Sequence, residues 1–174
     1  MIVLELSTSE YAPYYANYIK QVSTDTTIVK ELERSLERLI QFVPSIPSEK
    51  VGYRYAAGKW TIKDIIQHLI DCERIFAYRA LRIARKDQTP LPGFEENNYV
   101  DAAMANQREL TDLMEEFKIV RQSTIHLFRT FTAEQLTFMG TASDKPVSVR
   151  AIGFIISGHQ IHHLEVFKER YLVN

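Results

Sequence analysis

Apolar residues recur along this chain at steps of three and four, the spacing of one helix face, and no region alternates with period two for long. From Asp25 to Val43 the stripe is Ile28, Leu32, Leu36, Leu39, Ile40 and Val43, and Pro44 and Pro47 end it. Residues Pro47 to Lys59 read as a loop. A second helix is expected from Thr61, because Thr61-Ile62-Lys63-Asp64 has capping-box spacing with Asp in place of the usual Glu or Gln. Its apolar face runs through Ile65, Leu69, Cys72 and Phe76 and continues to about Lys86. Thr89-Pro90-Leu91-Pro92-Gly93 interrupts the pattern. A third helix is expected from Asn97 or Val100 to Phe131, and a last one from Ser148 to Tyr171. The connection Thr132 to Val147 between them carries Gly140 and Pro146. Ser9 to Val22 is a shorter, tyrosine-rich amphipathic stretch. These elements predict an all-α fold: a four-helix bundle with a short extra N-terminal helix, in one domain over 1–174.

Composition narrows the function without naming it. The chain has 174 residues, 45% hydrophobic and 25% charged, enough for a sizeable core. A net charge of −1 gives no nucleic-acid footprint. The local cluster Arg79, Arg82, Arg85 and Lys86 reads as a solvated helix face, or as cations suited to a helix C-terminus. One cysteine, Cys72, rules out an intramolecular disulfide and agrees with a reducing, cytoplasmic setting. Met1 to Leu6 is apolar but lacks a basic leader and carries Glu5, so it does not read as a signal peptide. No apolar run reaches the roughly 20 residues of a membrane span. Neither a nucleic acid nor a membrane is an expected partner.

Chemistry concentrates in two places. The run His159-Gln160-Ile161-His162-His163 lies inside the last helical pattern, where His159 and His163 share a face at i,i+4. His162, at i+3, competes for that face, and periodicity leaves the choice open. His68 sits on the apolar stripe of the second helix and is the candidate third ligand. Three imidazoles with an open position form a catalytic arrangement for zinc and related divalent ions. Gln160 stands where a zinc metalloprotease helix needs its glutamate base, so that class is excluded. His126 is isolated and receives no role.

Three segments resemble the DinB-like superfamily, including its YfiT-like metal-dependent enzymes. They are Gly58-Lys59-Trp60-Thr61-Ile62-Lys63-Asp64 with His68-Leu69-Ile70-Asp71-Cys72-Glu73, then Leu91-Pro92-Gly93-Phe94, then Gly158-His159-Gln160-Ile161-His162-His163. The resemblance implies a four-helix bundle holding a divalent metal, commonly nickel or zinc, on His68, His159 and His163, with His162 outside the ligand set. It also implies either a transferase that activates a low-molecular-weight thiol, or a hydrolase that activates water, acting on a small molecule. A homodimer is a further expectation, supported by the apolar and tyrosine residues near the N-terminus. The alternative class is a non-catalytic helical binding or stress-response module with a structural metal site.

Neighbouring residues take provisional roles. Asp71, three positions after His68, is a possible orienter of a ligand imidazole, or a solvent-facing acid. Glu73 is expected on a solvated face, two residues further round the helix. Cys72, four residues after His68, reads as a small packed residue. Phe94, Asn97 or Tyr99 would line a substrate pocket if their loop covers the end of the bundle. Trp60 reads as a staple or core anchor, or as a pocket wall.

Overall fold

The computed structural model describes residues 1–172. Short 3-10 turns at Val3–Glu5, Thr8–Glu10 and Pro13–Tyr15 lead into α1, Ala16–Ile19. The long helices are α2, Ile28–Phe42, and α3, Ile62–Ala84. After a short helix α4, Glu96–Ala103, come α5, Leu110–Arg129, and the single turn α6, Ala133–Leu136. Two strands, β1 Met139–Ala142 and β2 Lys145–Ser148, precede α7, Val149–Val166, which continues as a π-helical turn over Phe167–Tyr171.

The long helices α2, α3, α5 and α7 form the expected four-helix bundle. Both α2 and α3 pack on α5 and α7, which places α2 and α3, consecutive in the chain, across the diagonal. Residues 43–61 and 130–148 are the long connections that such diagonal steps require. The capping box is present: Thr61 Oγ1 accepts from Asp64 N at 3.1 Å, and Asp64 Oδ2 accepts from Thr61 N at 2.9 Å.

The structure departs from the sequence expectations in three elements. The expected helix from Asn97 to Phe131 is broken, with Met104 in the left-handed region at φ 49°. The break turns Asn106 onto the start of α3, where it donates to Asp64 at 2.7 Å and accepts from Thr61 at 2.8 Å. The connection Thr132–Val147 contains an antiparallel hairpin, turned by Ser143 and Asp144 at φ 51° and 59°. A turn with two positive-φ residues is usually signalled by Asn-Gly or Asp-Gly, and neither is present. Glu73, expected in solvent, is 2% exposed and takes both side-chain nitrogens Nε and Nη2 of Arg121, at 2.7 and 2.8 Å. Arg121 also donates to Ser35 Oγ at 2.5 Å and Leu32 O at 3.2 Å. The diagonal packing encloses nearly the whole circumference of α3, so its polar side must be neutralised inside the protein. This polar layer separates two apolar clusters, one around Phe76, Ile152 and Phe154, the other around Ile66, Phe117 and Phe167.

Candidate metal centre

The histidines meet where α3 and α7 cross the polar layer. His68 Nε2 lies 3.0 Å from His159 Nε2, and His163 Nε2 lies 3.1 Å from the same atom. A neutral imidazole nitrogen carries either one hydrogen or one lone pair in its plane. His159 Nε2 therefore cannot satisfy both neighbours by hydrogen bonding. A shared electrophile facing all three nitrogens resolves the conflict, and three neutral imidazoles are a donor set that divalent ions accept. Burial keeps them neutral. Burial pushes His68 down to about 4, and His159 and His163 lie well below the ordinary histidine value, through burial first and then through neighbouring histidines. His163 Nδ1 is buried without a partner.

Each imidazole is placed by its backbone. His159 and His163 lie one turn apart on α7, whose rings sit 4.7 Å apart. Gly158, just before them, lets the N-terminal segment approach: a Cβ there would stand 2.2 Å from the Tyr18 carbonyl oxygen. Glu10 holds that segment down through two 2.6 Å bonds from Arg150 at the start of α7. Tyr18 then covers the site, its ring 5.1 Å from His159 and 5.3 Å from His162. His162 is partly buried against Tyr18 and His163, with no hydrogen bond among the described residues.

Cys72 is buried, as expected of a packed residue, yet its Sγ faces the His68 ring, 3.5 Å from Nδ1 and 3.7 Å from Nε2. With His68 and His159 it forms a compact group of potential metal donors, to which His163 is joined only through its 3.1 Å approach to His159. Asp71 engages Gln67 at 3.0 Å and lies 3.9 Å from Arg74, with no hydrogen bond to an imidazole among the described residues. Gln160 is buried and donates to the Ser35 carbonyl in α2, a structural role in the polar layer.

The imidazoles open onto a cavity of about 340 Å³, within the size range of small-molecule sites. Trp60, whose ring lies 4.7 Å from His68, forms one wall, and Phe94 and Asn97 contribute to another. Tyr99 instead packs tilted against Phe94, ring centres 5.0 Å apart, and lines a separate surface depression. Arg79, expected on a solvated face, is buried in the cavity wall. The sequence carried a signal for it: His68, Cys72, Phe76 and Arg79 follow one another at steps of four, four and three, one face of α3. A larger surface groove of about 1210 Å³, between the end of α2 and the start of α5, has no histidine or cysteine in its wall.

A model of the DinB superfamily matches residues 31–167. The chain belongs to the DinB superfamily. A protein of Oceanobacillus iheyensis named "Putative metal-dependent hydrolase" is 24% identical over 143 residues, 80% of this chain and 81% of its own. YfiT from Bacillus subtilis, described as "a probable metal-dependent hydrolase with an unusual four-helix bundle topology", superposes with a TM-score of 0.71. That match has 16% identity and covers 91% of this chain and 93% of YfiT. A DinB-like protein of the same organism superposes at 0.57 with 20% identity, covering 81% and 86%. Both likenesses show a shared fold. No helix among the described residues is long and apolar enough to cross a membrane.

Proposed function

We propose that this chain is a metal-dependent hydrolase of small molecules, with His68, His159 and His163 as the ligands of one divalent ion. The observation that carries the reading is the double approach to His159 Nε2, at 3.0 and 3.1 Å, which hydrogen bonding cannot satisfy. The names of the relatives point the same way. An all-nitrogen donor set suits zinc or nickel. Bound there, such an ion lowers the pKa of water and polarises a carbonyl or phosphoryl oxygen. The protein's own part is threefold. Burial presents all three imidazoles in the neutral, ligating form. Tyr18 and Trp60 screen them from bulk water, and the cavity beside them admits a small substrate.

The test is metal analysis of the native protein, followed by a panel of esters, amides and phosphoesters assayed with and without low-molecular-weight thiols. We expect about one divalent ion per chain and thiol-independent turnover that chelation abolishes and the ion restores. Turnover only with a thiol would make the protein an S-transferase. A filled site without turnover on any substrate would make it a binding module.

A further inference from the structure

Arg79 is a buried cation without a counter-charge. Its side chain lies in the cavity wall and the residue is 3% exposed. Its Nη2 donates to the Pro92 carbonyl at 2.7 Å and to Ser143 Oγ at 3.1 Å, both neutral. Nε and Nη1 have no acceptor among the described residues. Arg121, the other fully buried arginine, takes both oxygens of Glu73. No carboxylate among the described residues pairs with Arg79; Glu96 shares the cavity wall but lies beyond ion-pair distance.

Considerable structure holds this guanidinium in place. Phe76 and Phe94 flank it, each ring centre 5.9 Å from its central carbon. Leu91 joins the loop to the hairpin, donating to Thr141 O at 2.9 Å and accepting from Ser143 N at 3.0 Å. Gly93 leaves room for the hairpin tip, since a Cβ there would stand 3.3 Å from Ser143 Oγ. An unpaired buried charge is strongly unfavourable. An arginine tied down in this way in a cavity wall, with two of its nitrogens left without an acceptor among the described residues, suits an oxyanion receptor.

We propose that Arg79 binds a carboxylate of the substrate, so that the histidine cavity takes a small carboxylic acid whose reacting bond lies toward the imidazoles. The inference rests on the reading of this cavity as the substrate site. His68 and Arg79 are three turns apart on α3, about 16 Å between Cα atoms, and the arginine side chain leans back toward the helix N-terminus. The cavity, of about 340 Å³, suits a molecule of a few carbons to one aromatic ring, and the Tyr15, Phe76 and Phe94 rings offer apolar walls for it.

Trp60, the chain's one tryptophan, lines the same cavity, so its fluorescence is the readout of occupancy. The experiment titrates phenylacetate and its uncharged isostere phenylacetamide into as-purified and metal-stripped protein, with metal content measured on each sample. Wild type should favour the carboxylate at least about tenfold in both forms, as a charge-assisted hydrogen bond allows. Arg79→Gln should lose that preference while its amide affinity stays unchanged. Arg79→Lys, for the case that Arg79→Gln does not fold, should bind phenylacetate at least about fivefold more weakly with amide affinity unchanged. Equal binding of the two probes by wild type overturns the proposal. So does a preference that survives Arg79→Gln but disappears on metal removal, since the ion would then be the carboxylate's partner. Equal weakening of both probes, or of neither, in Arg79→Lys overturns it as well. A preparation that never holds metal but keeps the Arg79-dependent preference defeats the hydrolase reading and leaves this one standing.

Discussion

His68 and His159 are 91 positions apart in the chain, and their Nε2 atoms stand 3.0 Å apart in the fold. Removing either should empty the site. His68→Ala, His159→Ala and His163→Ala are each expected to weaken divalent-metal binding by more than the roughly 10–100-fold that outer partners command. His162→Ala, whose ring packs on Tyr18, should keep about one ion per chain. Competition titration against a chromogenic chelator measures all four. Full metal affinity in His159→Ala would sink the ligand assignment.

Cys72→Ser tests whether the thiol beside His68 is needed to hold the ion. The three imidazoles are expected to suffice, so metal stoichiometry should be unchanged, read by elemental analysis of the purified variant. Loss of the ion would place Sγ, 3.5 Å from the His68 ring, in the ligand set and close the site.

The metal-free protein should lose stability in mild acid because of its histidines. Burial holds His68 at about 4 in the fold, against 6.5 in the unfolded chain. A lowered folded value means that protons favour the unfolded state. The stabilisation is complete above pH 6.5 and is lost as pH falls toward 4. At 1.36 kcal/mol per pH unit this amounts to about 3 kcal/mol. His159 and His163 act in the same direction. Urea unfolding of chelated protein between pH about 7 and about 5 should show a steeper loss for wild type than for His68→Gln.

Breaking the Glu73–Arg121 pair should cost about 3–5 kcal/mol, because Arg121, 1% exposed, would be left as an unmatched charge. Glu73→Ala measured by urea denaturation checks this. The double variant Glu73→Leu/Arg121→Leu should recover much of the loss, since apolar replacement of a buried pair is often close to neutral.

Gly158→Ala should force the Tyr18 segment away from α7, because the new methyl meets backbone and not a flexible side-chain end. Overpacking of this kind costs about 1–3 kcal/mol. Thermal unfolding reads the loss, and greater quenching of Trp60 by a neutral quencher reads the uncovering of the cavity. An unchanged melting temperature would show that the contact is softer than its geometry indicates.

The bundle was legible in the sequence because three-and-four spacing states which face of each helix is apolar, and that signal is local. The start of α3 was legible for the same reason, since a capping box lies within four residues. Glu73 and Arg121 were not. Each is an ordinary polar residue in its own helix, and only their meeting across 48 positions makes either one buried. The hairpin escaped notice because its turn lacks the usual residues, and the break at Met104 because it is made by Asn106 reaching α3.

The sequence by itself determined the four-helix pattern (though not the break at Met104), the i,i+4 histidine pair and its resemblance to a metal-binding family, all of which depend on residues close together in the chain. Only the tertiary structure decided that His68 comes within 3.0 Å of His159, that Cys72 turns its sulfur toward the His68 ring, and that Arg79 leaves solvent for the cavity. Those outcomes depend on how α3 is enclosed by α5, α7, the Pro92 loop and the hairpin tip. Burial is set by neighbours distant in sequence, and no periodicity within one helix encodes them.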